Sequence, residues 1–165
     1  LALHAQRNTV FPELPRFGLR LFLPQEMSQV NYYGMGPMEC YRDKHHAASH
    51  SSYTATVWQL HEDYIRPQEN GSHFDCDYVM LAGDAVRLTA VGTQPFSFNA
   101  SHYTQEELTR KAHNYELEPC GSTVLCLDYA QNGIGSESCG PRLLEQYRLD
   151  DATFNFGLRL FPEKK

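Results

Sequence analysis

Residues 125–141 read LCLDYAQNGIGSESCGP, and the change of character within them organises the rest of the chain. The lead-in, residues 123–129, is rich in strand formers. Val124, Cys126 and Asp128 fall on one face of an extended chain, and Leu125, Leu127 and Tyr129 on the other. Then the pattern stops. Gly133, Gly135, Ser136, Ser138, Gly140 and Pro141 crowd into a short span. Glycine admits positive φ and close backbone approach, and proline fixes the exit. A strand that empties into a small-residue loop is well placed to present groups to a ligand. A plain surface turn has the same composition and is the commoner outcome.

Working outward, most other segments also read as strands. Residues 1–5 (LALHA) look like the middle of one, which suggests a piece of a longer chain. FGLRLFL at 17–23 alternates and stops at Pro24. Residues 28–33 form a short strand candidate closed by Gly34-Met35-Gly36-Pro37. Residues 38–56 are polar and irregular, and read as a long loop. Residues 57–65 read as extended up to Pro67, and Gln68-Glu69-Asn70-Gly71 is a turn. Residues 73–81 and 85–91 suit a hairpin around Ala82-Gly83-Asp84, 95–99 a further short strand, and 153–160 the last. One helix is predicted, about two turns long. Thr104 is its N-cap, with Glu107 completing a capping box and Arg110 and Lys111 in the last turn. The whole reads as one all-β domain over residues 1–165, a sandwich or barrel with one short helix.

Composition bounds the function. At 165 residues, 41% of them hydrophobic, the chain can bury one core. The net charge of −6 with no basic stripe argues against nucleic acid or an anionic membrane as partner. No apolar run is long enough to span a bilayer, and no leader pattern stands at the start. Five cysteines (Cys40, Cys76, Cys120, Cys126 and Cys139) are an odd number without a C-x-x-C pair. Free thiols in a reducing, cytoplasmic setting fit better than a disulfide framework or structural zinc.

His45, His46 and His50 could ligate a metal, but lone histidines on a loop are more often solvated. His61-Glu62-Asp63 is no stronger. Glu69 could act as acid or base, yet its Asn-Gly neighbours mark turn chemistry first, and no second carboxylate pairs with it in sequence for glycoside hydrolysis. Cys139 could be a nucleophile, but no histidine is fixed beside it, so a contact role fits better. Phosphate-loop and dinucleotide glycine patterns are absent.

Five stretches carry a family resemblance. They are Leu14-Pro15-Arg16-Phe17-Gly18-Leu19; Val30-Asn31-Tyr32-Tyr33-Gly34-Met35-Gly36-Pro37 with Glu39, Tyr41 and Asp43; Pro67-Gln68-Glu69-Asn70-Gly71; Phe96-Ser97-Phe98-Asn99-Ala100-Ser101; and Gly133-Ile134-Gly135 followed by Ser138-Cys139-Gly140-Pro141. In this order they resemble the C-terminal part of the lac-type β-galactosidases of glycoside hydrolase family 2, the second half of the last domain. The resemblance implies a β-supersandwich similar to galactose mutarotase. It implies a parent enzyme that hydrolyses terminal β-D-galactosides such as lactose with retention, using two glutamates in a separate barrel domain. It also implies magnesium and sodium in the parent's other domains and none here, the barrel domain as partner, and a homo-oligomeric parent.

The same resemblance places a substrate-contacting loop at Ser138, Cys139 and Gly140. Cys139 stands where better-known members carry a stacking Trp, and Cys40 where an Asn is usual. Two rival readings are a stand-alone carbohydrate-binding module and a mutarotase-like epimerase using a His and a Glu.

Overall fold

Apolar alternation at period two runs through most of the chain, and eight strands result. They are β1 (Ala2–Gln6), β2 (Arg16–Pro24), β3 (Gln29–Gly36), β4 (Ser49–Thr56), β5 (Ser72–Ala82), β6 (Val86–Ser101), β7 (Ser122–Gln131) and β8 (Thr153–Lys164). The structure is a computed structural model describing residues 1–165 apart from Thr9, Pro12 and residues 133–140. One helix, α1 (Gln105–Arg110), and two single 3-10 turns complete the described elements. The all-β class with one short helix is as expected.

All pairings are antiparallel, in the order β1-β8-β6-β5-β3-β4, and the sheet forks at β6. Along residues 86–92, β6 pairs with β8; along 97–101 it pairs with β7, which in turn carries β2. Pro95 lies between those two runs. Proline donates no backbone hydrogen bond, so it is tolerated where the strand exchanges one partner for another. Residues 95–99 are therefore part of the long β6 rather than a separate strand.

The two arms share one core. Val30, Val79, Leu81, Phe96, Phe98, Leu125, Leu127, Phe156 and Leu158 are almost completely buried together, with Leu19, Leu21 and Leu23 of β2 packed against them. Each such side chain contributes roughly 1.5–3 kcal/mol by leaving water. A smaller cluster of Ala130, Leu149 and Phe154 sits at the C-terminal end of β7. Residues 124–128 are buried on both faces of the strand, which makes β7 an interior strand.

Two further expectations are corrected. Residues 38–56 are not all loop, because β4 forms an edge strand beside β3. Its sequence, SHSSYTAT, is mostly exposed and shows no apolar alternation, so the usual strand signal was missing. Residues 57–60 form a turn instead of an extended segment. Thr56 Oγ1 accepts from the Gln59 amide at 3.2 Å, and Gln59 Oε1 accepts from the Thr56 amide at 2.8 Å, which closes the chain on itself. The Thr104 cap is as expected: its side chain accepts from Glu107 N at 3.1 Å. The return half of the capping box gives way to a different use of Glu107, which accepts from Glu118 N and pairs with Arg110 and Lys111.

Candidate functional site

Asp128 is the least expected residue of β7, a carboxylate only 2% exposed in an otherwise apolar run. A buried carboxylate is costly without a cation and donors to hold it. Arg16, at the start of β2, supplies both. Its Nε donates to Asp128 Oδ1 at 3.2 Å, and one terminal nitrogen donates to Oδ2. The other terminal nitrogen pairs with Glu69. Gln131 Nε2 completes the shell, donating to Asp128 Oδ2 at 3.2 Å and to Ser72 Oγ at 3.1 Å.

Burial pushes the Asp128 carboxyl up to about 6 against the pull of Arg16. Burial also works against the Arg16 charge, but Asp128 outweighs it and holds the guanidinium cationic. Both groups are therefore ionised at neutral pH, and both oxygens of Asp128 are occupied by donors.

Gly18 makes this arrangement possible. A β-bulge falls between Phe17 and Gly18, where β2 meets β7. A Cβ added at Gly18 would lie 2.6 Å from the Asp128 Cα and closer still to Asp128 Oδ1 and the Leu127 carbonyl. Only a hydrogen leaves room for the carboxylate to turn toward Arg16. Beside the network lies a cleft of about 480 Å³, lined by Arg16, Gly18, Arg20, Glu69, Gln105 and Cys126 among others.

Glu39 is a second buried hub. Its oxygens accept from Lys44 Nζ at 2.9 Å, the Gly71 amide at 2.9 Å, the Tyr41 hydroxyl at 3.1 Å and the Tyr64 hydroxyl. Burial raises its pKa, but Tyr64, Gly71 and Lys44 together overcompensate and hold it below the ordinary carboxylate range. The loop that Glu39 grips is shaped by Asn70, whose side chain accepts from Glu62 N and donates to Gln68 O, while Asn99 donates to the Asn70 carbonyl. Gly71 adopts φ +69° there, in the region that favours glycine. Cys40 is buried, with its thiol 3.3 Å from Met35 O, a structural position.

The structure thus brings together residues from separated motifs: Arg16, Glu39, Glu69–Gly71, Asn99, Asp128 and Gln131. The exit of β7 is anchored next to them. Asn132 N donates to Pro15 O at 2.9 Å, and its side chain accepts from Leu149 N at 2.6 Å. The expected contact residues Ser138, Cys139 and Gly140 lie outside the described residues.

The histidine candidates go elsewhere. His45 stacks on His46, and His50 on β4 lies 2.9 Å from the Asp75 carbonyl. Among the described residues no three His, Cys, Asp or Glu converge as a metal would need. Cys40, Cys76 and Cys126 are buried thiols and Cys120 an exposed one. Glu69 does have a carboxylate neighbour in space, but Arg16 ties the pair together, so its role is bracing. Sequence reading missed Arg16 and Asp128. The available signal was the single Asp inside the apolar LCLDY run, which demands a cation from elsewhere.

Fold and network together define an all-β, sandwich-like domain in which Arg16 ties the buried Asp128 and the half-buried Glu69 together near the end of β7. The chain belongs to the β-galactosidase small chain family, whose model matches residues 1–160. It is similar to the β-galactosidase of Actinobacillus pleuropneumoniae, 49% identical over 162 residues and 98% of this chain. The β-galactosidase of Staphylococcus xylosus is 43% identical over 94% of the chain, and that of Arthrobacter sp. (strain B7) 34% identical over 88%. The chain spans only 16%, 16% and 15% of those proteins' lengths. No helix among the described residues is long and apolar enough to cross a membrane.

Proposed function

We propose that this chain is an accessory domain of a cytoplasmic β-galactosidase, one that completes the galactoside pocket with residues 133–141. The observation that carries the reading is the braced exit of β7. Buried Asp128 and Gln131 join half-buried Arg16 and Glu69 in one polar network there, and Asn132 ties the strand end to Pro15 and Leu149. A rigid base is what a loop needs if it is to hold a substrate contact in place. In this reading Ser138, Cys139 and Gly140 touch the sugar or aglycone. The acid/base and nucleophilic glutamates of a retaining hydrolysis belong to the parent's barrel domain, as do the magnesium and sodium. The parent works as a homo-oligomer, and the 165-residue chain alone has no turnover.

The test is kinetic, in the full-length parent. Cys139→Ser is expected to lower kcat/KM less than about tenfold, roughly 1.4 kcal/mol. Cys139→Trp adds a stacking surface and is expected to move KM more than kcat. Loss of turnover in Cys139→Ser with binding intact would make the thiol a reacting group and overturn the contact role. Unchanged kinetics in both variants would remove the loop from the pocket. Turnover that follows the isolated chain through purification and disappears in Glu69→Gln would place the chemistry in this domain.

A further inference from the structure

Trp58 is the chain's one tryptophan, and half of its surface is exposed. It stands on the turn after β4, fixed by the Val57 amide, which donates to the Ser28 carbonyl at 2.9 Å. His102 and Tyr103 support the indole, with ring centroids 4.6 and 5.9 Å away. His102 is itself buried and lies 3.3 Å from the Ser122 carbonyl, so the support is rigid.

The cleft in front of Trp58 has a volume of about 420 Å³ and is lined by Gln25, Glu26, Ser28, Trp58 and His102. The backbone of this rim is held in place. Met27 N donates to Pro24 O, and Thr123 Oγ1 donates to Gln25 O. The side chains of Gln25, Glu26 and Ser28, by contrast, make no hydrogen bond or ion pair with the described residues. They are polar groups on a fixed frame, facing an open cleft beside an aromatic surface.

We propose that this cleft is a saccharide-binding subsite, separate from the 133–141 loop, and that it takes a β-galactoside on the Trp58 ring. The axial hydroxyl at C4 of galactose leaves the C3, C4 and C5 hydrogens as one continuous apolar patch on one ring face. Such a patch stacks on indole, while hydroxyls at the sugar's rim reach the carboxylate of Glu26, the amide of Gln25 and the hydroxyl of Ser28. The carboxylate disfavours anionic ligands, and the shallow, polar rim suits a neutral polyhydroxylated one. Only the choice of galactose over other sugars rests on the proposed function.

Because Trp58 is the sole tryptophan, intrinsic fluorescence reports this cleft alone. Titration of the 165-residue chain with methyl β-D-galactopyranoside is expected to give a saturable change in emission with a midpoint on the order of millimolar. Equal concentrations of mannitol should give none. Glu26→Gln keeps the fluorophore and should weaken binding by roughly threefold or more. Trp58→Phe, followed by saturation-transfer NMR on the sugar, should weaken it by roughly fivefold or more. A response that is still linear at about 100 mM, an equal response to mannitol, or affinity unchanged in both variants would overturn the proposal. Saturable binding of methyl β-D-glucopyranoside with equal affinity would overturn the galactose assignment. Failure here leaves the loop reading standing, because the Cys139 variants test that reading in a different assay and without Trp58.

Discussion

His73 offers a quantitative test of the core. It lies near the start of β5, is 1% exposed, stacks on Phe98 and lies tilted against Tyr32, the three rings forming one cluster. Its Nδ1 is 3.0 Å from the Tyr32 hydroxyl and 3.2 Å from the Met35 carbonyl, while Nε2 is buried without a partner. Burial therefore pushes its pKa down, from 6.5 to about 4. The native state refuses a proton that the unfolded chain accepts. Between those two pH values the unfolded state binds more protons, so stability falls as pH is lowered. The full gap is worth roughly 3 kcal/mol, and the part between pH 7 and pH 5 about 2 kcal/mol.

The assay is urea unfolding at pH 7 and pH 5, for the wild type and for His73→Gln. The variant will be less stable at pH 7, because the fit around Tyr32 and Phe98 is lost. Its further loss on going to pH 5 should be about 2 kcal/mol smaller than the wild type's. Asp128 titrates near 6 in both proteins and with the opposite sign, since its raised pKa favours the native state at lower pH, so it cancels in the difference. Parallel pH profiles for the two proteins would refute the neutral, buried assignment of His73.

Three further outcomes follow from the site. Arg16→Leu leaves the Asp128 charge buried and unpaired, and should cost about 3–5 kcal/mol by urea unfolding, whereas Arg16→Leu with Asp128→Leu should recover most of it. Gly18→Ala forces β2 off β7 and should destabilise by about 1–3 kcal/mol, read as a fall in Tm; an unchanged Tm would show that β2 shifts freely. In thiol titration the denatured chain should expose all five cysteines, while in the native protein Cys120 reacts quickly and Cys40, Cys76 and Cys126 slowly.

Strand positions were legible wherever burial imposed alternation. β2, β3 and β8 show that pattern, and the Thr104 cap marked α1 because a side-chain oxygen must meet a free amide there. β4 was illegible for the converse reason. A short edge strand needs little apolar period, since only Tyr53 and Ala55 of β4 pack on the core, and its hydrogen bonds are made by backbone that every residue carries alike.

The site divides in the same way. Sequence alone determined the turn chemistry around Asn70 and Gly71, the Thr104 cap of α1, and the order of motifs that carries the family. Each of these is a local demand of the backbone, written in adjacent residues. Only the tertiary structure decided that Arg16 answers Asp128 across 112 positions, and Glu69 across 53. It alone decided that Glu39 grips the Gly71 amide and that Trp58 faces an uncommitted polar rim. Charge pairing in a low-dielectric interior depends on distance in space, and a linear pattern holds no record of which distant groups the forked sheet brings within reach.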